Sequence, residues 1–307
     1  MKTILITGGT GLVGKRLIEH LVKKNYNIIV FTRNIQNVAP SYKVQYALWN
    51  VKEGTIDITA IKKADAIIHL AGAGVMDKKW TTEYKKEIEE SRTLSSKLLV
   101  DTLTNNDHKV KVLLSASAIG WYGADKLPNH FFEETEPADT EFLGIVCQKW
   151  EQAITKAEAL GIRVCKLRTG IVLSSVGGAY KEFKTPTKFG IAPILGNGSQ
   201  IISWIHIDDL CNQYLHLLQN ENTSGSYNAV APEPVCNKTL TITIAKKNKF
   251  YIPFYVPTFI LKIMLGARCV EILKSARVSA SKILQSGFAF NYPSIIAAVD
   301  DIEAHKN

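Results

Sequence analysis

The chain has 307 residues, 46% of them hydrophobic and 21% charged, enough to bury one large α/β core or two smaller ones, which excludes a disordered tail and a disulfide-stapled miniprotein. Its formal charge of +9 arises from thirty lysines and seven arginines against 28 acidic residues. The lysines stand singly and in pairs rather than in a block, as on an ordinary solvated surface, so nucleic acid is not expected as a partner.

Thr3 to Thr7 reads as a first strand and Leu12 to Lys24 as a helix with Leu17, Ile18, Leu21 and Val22 on its apolar face. Asn27 to Thr32 contains an uninterrupted Ile-Ile-Val-Phe run and fits a strand buried on both faces. Val44 to Leu48 and Ala66 to Leu70 follow as strands, the latter running into Ala71-Gly72-Ala73-Gly74. Thr82 to Leu103 lacks Gly and Pro and reads as a long helix. Val110 to Ser115 is the fifth strand, Phe142 to Leu160 a helix closed by Gly161, and Arg163 to Leu167 the sixth strand. This alternation predicts an α/β fold, a doubly wound parallel sheet over residues 1–170.

After Gly170 glycines and prolines multiply, and residues 171–307 are expected to form a smaller C-terminal lobe, parts of which can return to the sheet. Pro257 to Leu265 and Val270 to Leu284 read as short amphipathic helices. No apolar run reaches the roughly 18 residues of a membrane span, and the opening residues lack the layout of a cleaved signal peptide. Five cysteines, odd in number and never in a Cys-x-x-Cys pair, fit free thiols in a reducing compartment. A soluble cytoplasmic protein without membrane attachment is the expectation; the sequence leaves its oligomeric state open.

The clearest chemical signal is Thr7-Gly8-Gly9-Thr10-Gly11-Leu12-Val13-Gly14, a glycine cluster that follows a buried-type strand, opens an amphipathic helix and precedes a second strand. In that setting glycines let the backbone turn tightly and approach a diphosphate, whose charge faces the free N–H groups of the helix N-terminus. A dinucleotide-binding Rossmann domain is therefore expected. At the end of the second strand an NAD enzyme normally places Asp or Glu against the adenosine ribose, but this chain has Thr32-Arg33-Asn34. Arg33 either offers a guanidinium fork to a 2′-phosphate or points into water; on the first alternative the cofactor is NADP, with NAD as the other candidate.

Together with Ser115-Ala116-Ser117-Ala118, Tyr122-Gly123 and Leu167-Arg168-Thr169-Gly170, the glycine loop resembles those of the extended short-chain dehydrogenase/reductases. The likeness is greatest to their atypical epimerase-like branch, of unassigned substrate. Further stretches that carry it are Lys79-Trp80-Thr81 with Ser91-Arg92, Val146 to Glu151, Ser203-Trp204-Ile205-His206, Ala231-Pro232-Glu233-Pro234-Val235 and Tyr292-Pro293. The resemblance implies hydride chemistry at a Tyr-x-x-x-Lys pair, whose four-residue spacing puts phenol and ammonium on one helix face. That pair is missing: alignment on Glu151 brings Leu143 to the Tyr position and Cys147 to the Lys position, and Ala118 stands where a hydroxyl is usual. The residues the resemblance points to for the dinucleotide are Gly8, Thr10, Gly11, Leu12, Val13, Gly14, Thr32, Arg33, Leu70, Ala71, Gly72, Ser115 and Arg168.

Substitutes for the missing pair each carry a plainer alternative. Ser117 is a hydroxyl for substrate or nicotinamide, or a partner of the backbone; Tyr122 exchanges a proton or shapes the pocket. Cys147 is a weak acid or a buried thiol, and Lys149, about 200° around the helix from it, faces away. Arg168 meets cofactor or an anionic substrate, or forms an internal ion pair. Glu133 and Glu134 read as solvated, and Asp208 or Asp209 as a cap on the helix from Leu210, with His206 in a strand; no metal is expected there. The function these observations lead to is that of an NADP-dependent oxidoreductase or epimerase-like enzyme on a small polar substrate, nucleotide-linked ones included. The alternative is a non-catalytic NADP(H)-binding or redox-sensing protein.

Overall fold

The computed structural model describes residues 2–35, 42–125 and 129–305. In chain order the first half contains β1 (Thr3–Thr7), α1 (Leu12–Lys23), β2 (Asn27–Thr32), β3 (Val44–Asn50), β4 (Thr55–Ile56), α2 (Ile58–Lys63), β5 (Ala66–His69), α3 (Thr82–Asn105), β6 (Val112–Ala118), α4 (Phe142–Thr155) and β7 (Arg163–Thr169). Asp57 caps α2 and Thr81 caps α3 by accepting first-turn amides. Gly161, at φ +73°, ends the 3₁₀ turn that follows α4.

The second half adds β8 (Ile171–Ser174), β9 (Gly177–Gly178), α5 (Ala179–Thr187), β10 (Ile191–Leu195), β11 (Ile201–Ile202), β12 (Trp204–His206), α6 (Ile207–Gln219) and β13 (Gly225–Ala229). Then come β14 (Val235–Cys236), α7 (Asn237–Ala245), β15 (Ile252–Val256), α8 (Thr258–Leu265), α9 (Cys269–Leu273), α10 (Ser281–Gln285) and α11 (Ile295–Ala304).

Eight strands form one sheet in the order β13-β7-β6-β5-β1-β2-β3-β4, parallel throughout except at the β3/β4 edge. Alternate residues of each strand serve opposite faces. Ile4, Ile6, Val30, Ile68 and Leu114 join Leu17 and Leu21 of α1 and Leu210 and Tyr214 of α6 in one core, while Leu5, Ile29, Ile67 and Leu113 join Leu99 and Leu103 of α3 and Ile154 of α4 in the other. This is the doubly wound architecture expected from the alternation. β13 and α6 both come from beyond Gly170, so the sheet and one of its helical layers draw on the second half of the chain. A third core, around Leu173, Tyr180, Trp204, Leu240 and Val299, holds the small strands and helices of the remainder.

Two expectations are corrected. The stretch from Val270 to Leu284 is not one helix: residues 274–280 are pulled into extended contacts, with Ala276 N donating to Ile201 O, Val278 N to Ser203 Oγ and Ser279 N to Phe132 O, leaving α9 and α10 on either side. The helix after β12 starts at Ile207, and its cap is His206, whose ring accepts from Asp208 N. Asp209 instead accepts Asn291 N and Tyr292 N. Among the described residues no helix is long and apolar enough to cross a membrane.

The passage from β7 to β8 is sterically tight, because a Cβ on Gly170 would lie 2.6 Å from the Ser203 carbonyl oxygen and 2.9 Å from a Val230 methyl. Gly170→Ala should therefore destabilise the fold by about 1–3 kcal/mol, seen as a lower urea midpoint at unchanged slope; an unmoved midpoint would show that this junction yields.

Candidate functional site

β1 ends at Thr7 and the chain turns through Gly8 at φ +69°, a conformation that suits glycine. A Cβ on Gly8 would lie 2.8 Å from the Leu70 carbonyl, and one on Gly14 only 2.3 Å from the Gly8 carbonyl oxygen. Loop, helix α1 and the end of β5 thus meet backbone to backbone. Gly11 is the N-cap of α1 and provides no side-chain acceptor; it is exposed. No side chain of the cap stands before the first-turn N–H groups, including those of Leu12 and Val13, which makes this end of α1 a seat for an anion. β1 lies between β2 and β5, where the strand order reverses, so the seat opens at the topological switch point of the sheet. A dinucleotide's diphosphate fits this cradle.

The flanking residues are laid out around it. Thr10 is exposed and Leu12 half-buried beside the β8/β9 hairpin, 3.1 Å from where a Cβ on Gly178 would stand. At the end of β2 the Thr32 hydroxyl closes a local turn with Asn34, and Arg33 is exposed, with no ion pair among the described residues. Across β1, Thr7 Oγ1 accepts the amides of Leu70 and Ala71. Its own proton therefore goes to His69 Nδ1, 2.7 Å away, which leaves His69 Nε2 to donate towards Ser95 and Ser96. His69 is fully buried, and burial pushes its pKa down to about 3. The strip that follows is pinned to α3: Ala73 N donates to Ser91 Oγ, and the Tyr84 hydroxyl donates to Gly74 O.

A second polar centre lies inside the fold at the C-terminal ends of β6 and β7, along the same edge of the sheet. Arg168 of β7 is 2% exposed and makes paired bonds to Glu151 of α4 at 2.8 and 3.0 Å. It also donates to the Tyr122 hydroxyl and to Glu134 O, with its guanidinium 3.6 Å from the Trp121 ring centroid. Glu151 takes two further protons, from Ser117 and Ser226. Tyr122 donates to Asn228 Oδ1 at 2.7 Å, and Asn228 N donates to Glu134.

Several side chains singled out in the sequence belong to this network or pack beside it. Arg168 forms an internal ion pair with Glu151, and four of its five N–H donors go to protein acceptors. Ser117 and Tyr122 are both buried with their protons given to protein acceptors, and burial pushes the Tyr122 phenol up to about 12. Glu134 is bonded to Asn228 rather than solvated. The Ser115 hydroxyl is buried and donates to Ala116 O, so it is not presented to a ligand. Cys147 packs beneath Gly120, and burial pushes its thiol up to about 12. Lys149 pairs with Glu89 at the surface.

His206, Asp208 and Asp301 cluster within 4.8 Å of one another, yet Arg16 and His20 already engage Asp208. Burial alone would raise the Asp208 carboxyl; bonds from His20 and Arg16 hold it well below the usual carboxylate range. Glu151 and Asn228 were missed from sequence. An acid among Val146, Cys147, Trp150 and Ile154 on the buried face of α4 signals the first; nothing local signals the second.

Residues 4–230 match the NAD dependent epimerase/dehydratase family, and residues 256–302 match a domain of unknown function, DUF1731. The chain is similar to an epimerase family protein of Staphylococcus haemolyticus, 34% identical over 302 residues that cover 98% of this chain and 99% of that one. A Staphylococcus aureus epimerase family protein is 35% identical over 305 residues, with the same coverage of 98% and 99%. Among solved structures, the human epimerase family protein SDR39U1, crystallised with NADPH, superposes with a TM-score of 0.83 at 24% identity and covers 99% of each chain. A nucleoside-diphosphate sugar epimerase from Corynebacterium glutamicum gives 0.77 at 29% identity, covering 98% of this chain and 58% of that one.

Two outcomes follow from this geometry. Removing Glu151 alone leaves a buried guanidinium uncompensated, so Glu151→Ala should cost about 3–5 kcal/mol, and the pair Glu151→Leu with Arg168→Met should recover most of it; a double-mutant cycle by urea unfolding without such recovery would deny the coupling. His69 is neutral in the fold with its pKa below the ordinary 6.5, whereas the unfolded chain protonates it. Its contribution is thus intact above pH 6.5 and is lost as the pH falls from about 6.5 towards 3, by up to about 1.4 kcal/mol per pH unit. Urea melts across that range should be shallower in pH for His69→Asn; identical slopes would count against it.

Proposed function

The chain belongs to the NAD dependent epimerase/dehydratase family, and on that premise we propose that it is an NADP(H)-dependent epimerase-like oxidoreductase of a small polar, nucleotide-linked substrate. The observation that carries this reading is the uncapped end of α1 at the switch point, with Arg33 and no acid at the end of β2. The NADPH bound by the human neighbour supports the choice of coenzyme, and the nucleoside-diphosphate sugar named for the Corynebacterium enzyme supports the substrate class.

When bound, the nicotinamide supplies a hydride donor or acceptor. The main-chain amides of Leu12 to Gly14 would hold the diphosphate, and Arg33 would pair with a 2′-phosphate in a bidentate fork. Thr7 and His69 fix the start of the Leu70–Gly72 strip that borders the cradle. Ser117 and Tyr122 serve as positioning groups, since their protons are spent on Glu151 and Asn228. That same engagement, with Leu143 and Cys147 in place of the superfamily's Tyr and Lys, favours a second reading in which the protein binds NADP(H) without turnover. A hydride-transfer screen with NADPH against carbonyl compounds and nucleotide sugars separates the two: turnover supports the enzyme, and silence beside tight NADPH binding supports the sensor.

One charge-assisted contact of roughly 1.5–3 kcal/mol should make NADPH bind about ten- to a hundredfold more tightly than NADH. Calorimetric titration should show that preference in the native chain and its loss in Arg33→Ala; tighter NADH binding would refute the assignment.

A further inference from the structure

Arg92 is a partly buried cation of α3 with no carboxylate paired to it among the described residues. It projects from α3 across the strip that leaves β5, so that a Cβ on Gly72 would stand 3.1 Å from its Cζ. Its guanidinium lies 5.1 Å from the Trp150 ring centroid, and among the described residues its one hydrogen bond runs from Nη1 to Ile88 O. No carboxylate pairs with it, unlike Arg16 and Arg168. A half-buried guanidinium with two nitrogens uncommitted is costly unless acceptors arrive from elsewhere, and burial pulls its pKa down accordingly.

Its place in the sheet says which acceptors. The cradle sits on β1, Arg33 stands beyond β2 on one side, and the Leu70–Gly72 strip leaves β5 on the other. A dinucleotide whose diphosphate rests on α1 and whose adenosine lies at Arg33 must carry its other half over β5. That half would reach Gly72, whose missing side chain lets the strip lie directly against the guanidinium. Cys147, at the helix position where the superfamily has its lysine, is buried with no charge of its own to offer and feels the Arg92 charge more than any other.

We propose that Arg92 holds the nicotinamide nucleoside half of the dinucleotide, its free N–H groups donating to ribose and carboxamide oxygens, and so supplies from α3 the cation that α4 lacks. The proposal rests on the coenzyme reading above, and its test separates the two. The full chain and its Arg92→Met, Arg92→Lys and Gly72→Ala variants are titrated calorimetrically with NADPH and with 2′,5′-ADP, which carries the 2′-phosphate but no nicotinamide half. Thermal melts confirm folding.

Arg92→Met should weaken NADPH about tenfold or more and leave 2′,5′-ADP within about twofold. Arg92→Lys should restore part of the loss, and Gly72→Ala, which displaces the guanidinium, should reproduce it. NADPH affinity unchanged in Arg92→Met, or equal losses for both ligands, would overturn the role of Arg92 while leaving the coenzyme reading intact. A native chain that binds neither ligand would overturn both.

Discussion

The contact on which the rest depends is between two peptide units: the Gly8 carbonyl oxygen lies where any side chain on Gly14 would have to go, at 2.3 Å from its Cβ position. Because that approach is possible, α1 starts immediately behind β1 and aims its N-terminus at the sheet's reversal point. Gly8 in turn lies against the Leu70 carbonyl, again with no room for a Cβ, so the loop is wedged between α1 and the end of β5. The anion seat follows from packing rather than from any charged side chain. Its electropositive character belongs to the helix end, and such a site needs no ionisable group to be held ready.

Beside that seat the polar side chains are committed to one another. In the superfamily it resembles, the hydroxyl strand end and the following helix furnish proton-transfer groups; here the corresponding region is tied into the Arg168–Glu151 ion pair, with Ser117, Tyr122, Ser226 and Asn228 as its remaining partners. Charges taken out of water hold only when their donors and acceptors are matched, and here the matching engages the hydroxyls of Ser117 and Tyr122. The network links β6, β7, β13, α4 and the Glu134 loop.

Much of this architecture was legible in the residues alone. The strands β1, β2 and β5 announce themselves as β-branched runs, α3 as a long stretch without Gly or Pro, and the glycine cluster in its strand-to-helix setting as a diphosphate cradle. Each of these rests on short-range periodicity or on backbone conformation, which local sequence encodes. β13 was not legible, because Gly225-Ser226-Tyr227-Asn228-Ala229 has no apolar run and becomes a strand only through its register with Cys165 to Thr169. The break between α9 and α10 has the same origin, since residues 274–280 are extended by hydrogen bonds to Ile201, Ser203 and Phe132, all distant in the chain.

The residues themselves determined the family, the doubly wound parallel sheet, the place of the glycine loop and the absence of a Tyr-x-x-x-Lys pair, because identities and short spacings suffice for each. Only the tertiary structure decided the fate of the polar side chains. Whether Arg168, Tyr122 or Ser117 faces a ligand or another residue depends on partners 17 to 46 positions away and further, and whether Arg92 is matched depends on which acids the fold brings near it. A side chain's partner is a property of three-dimensional neighbourhood, and that is settled by long-range packing rather than by the residues on either side.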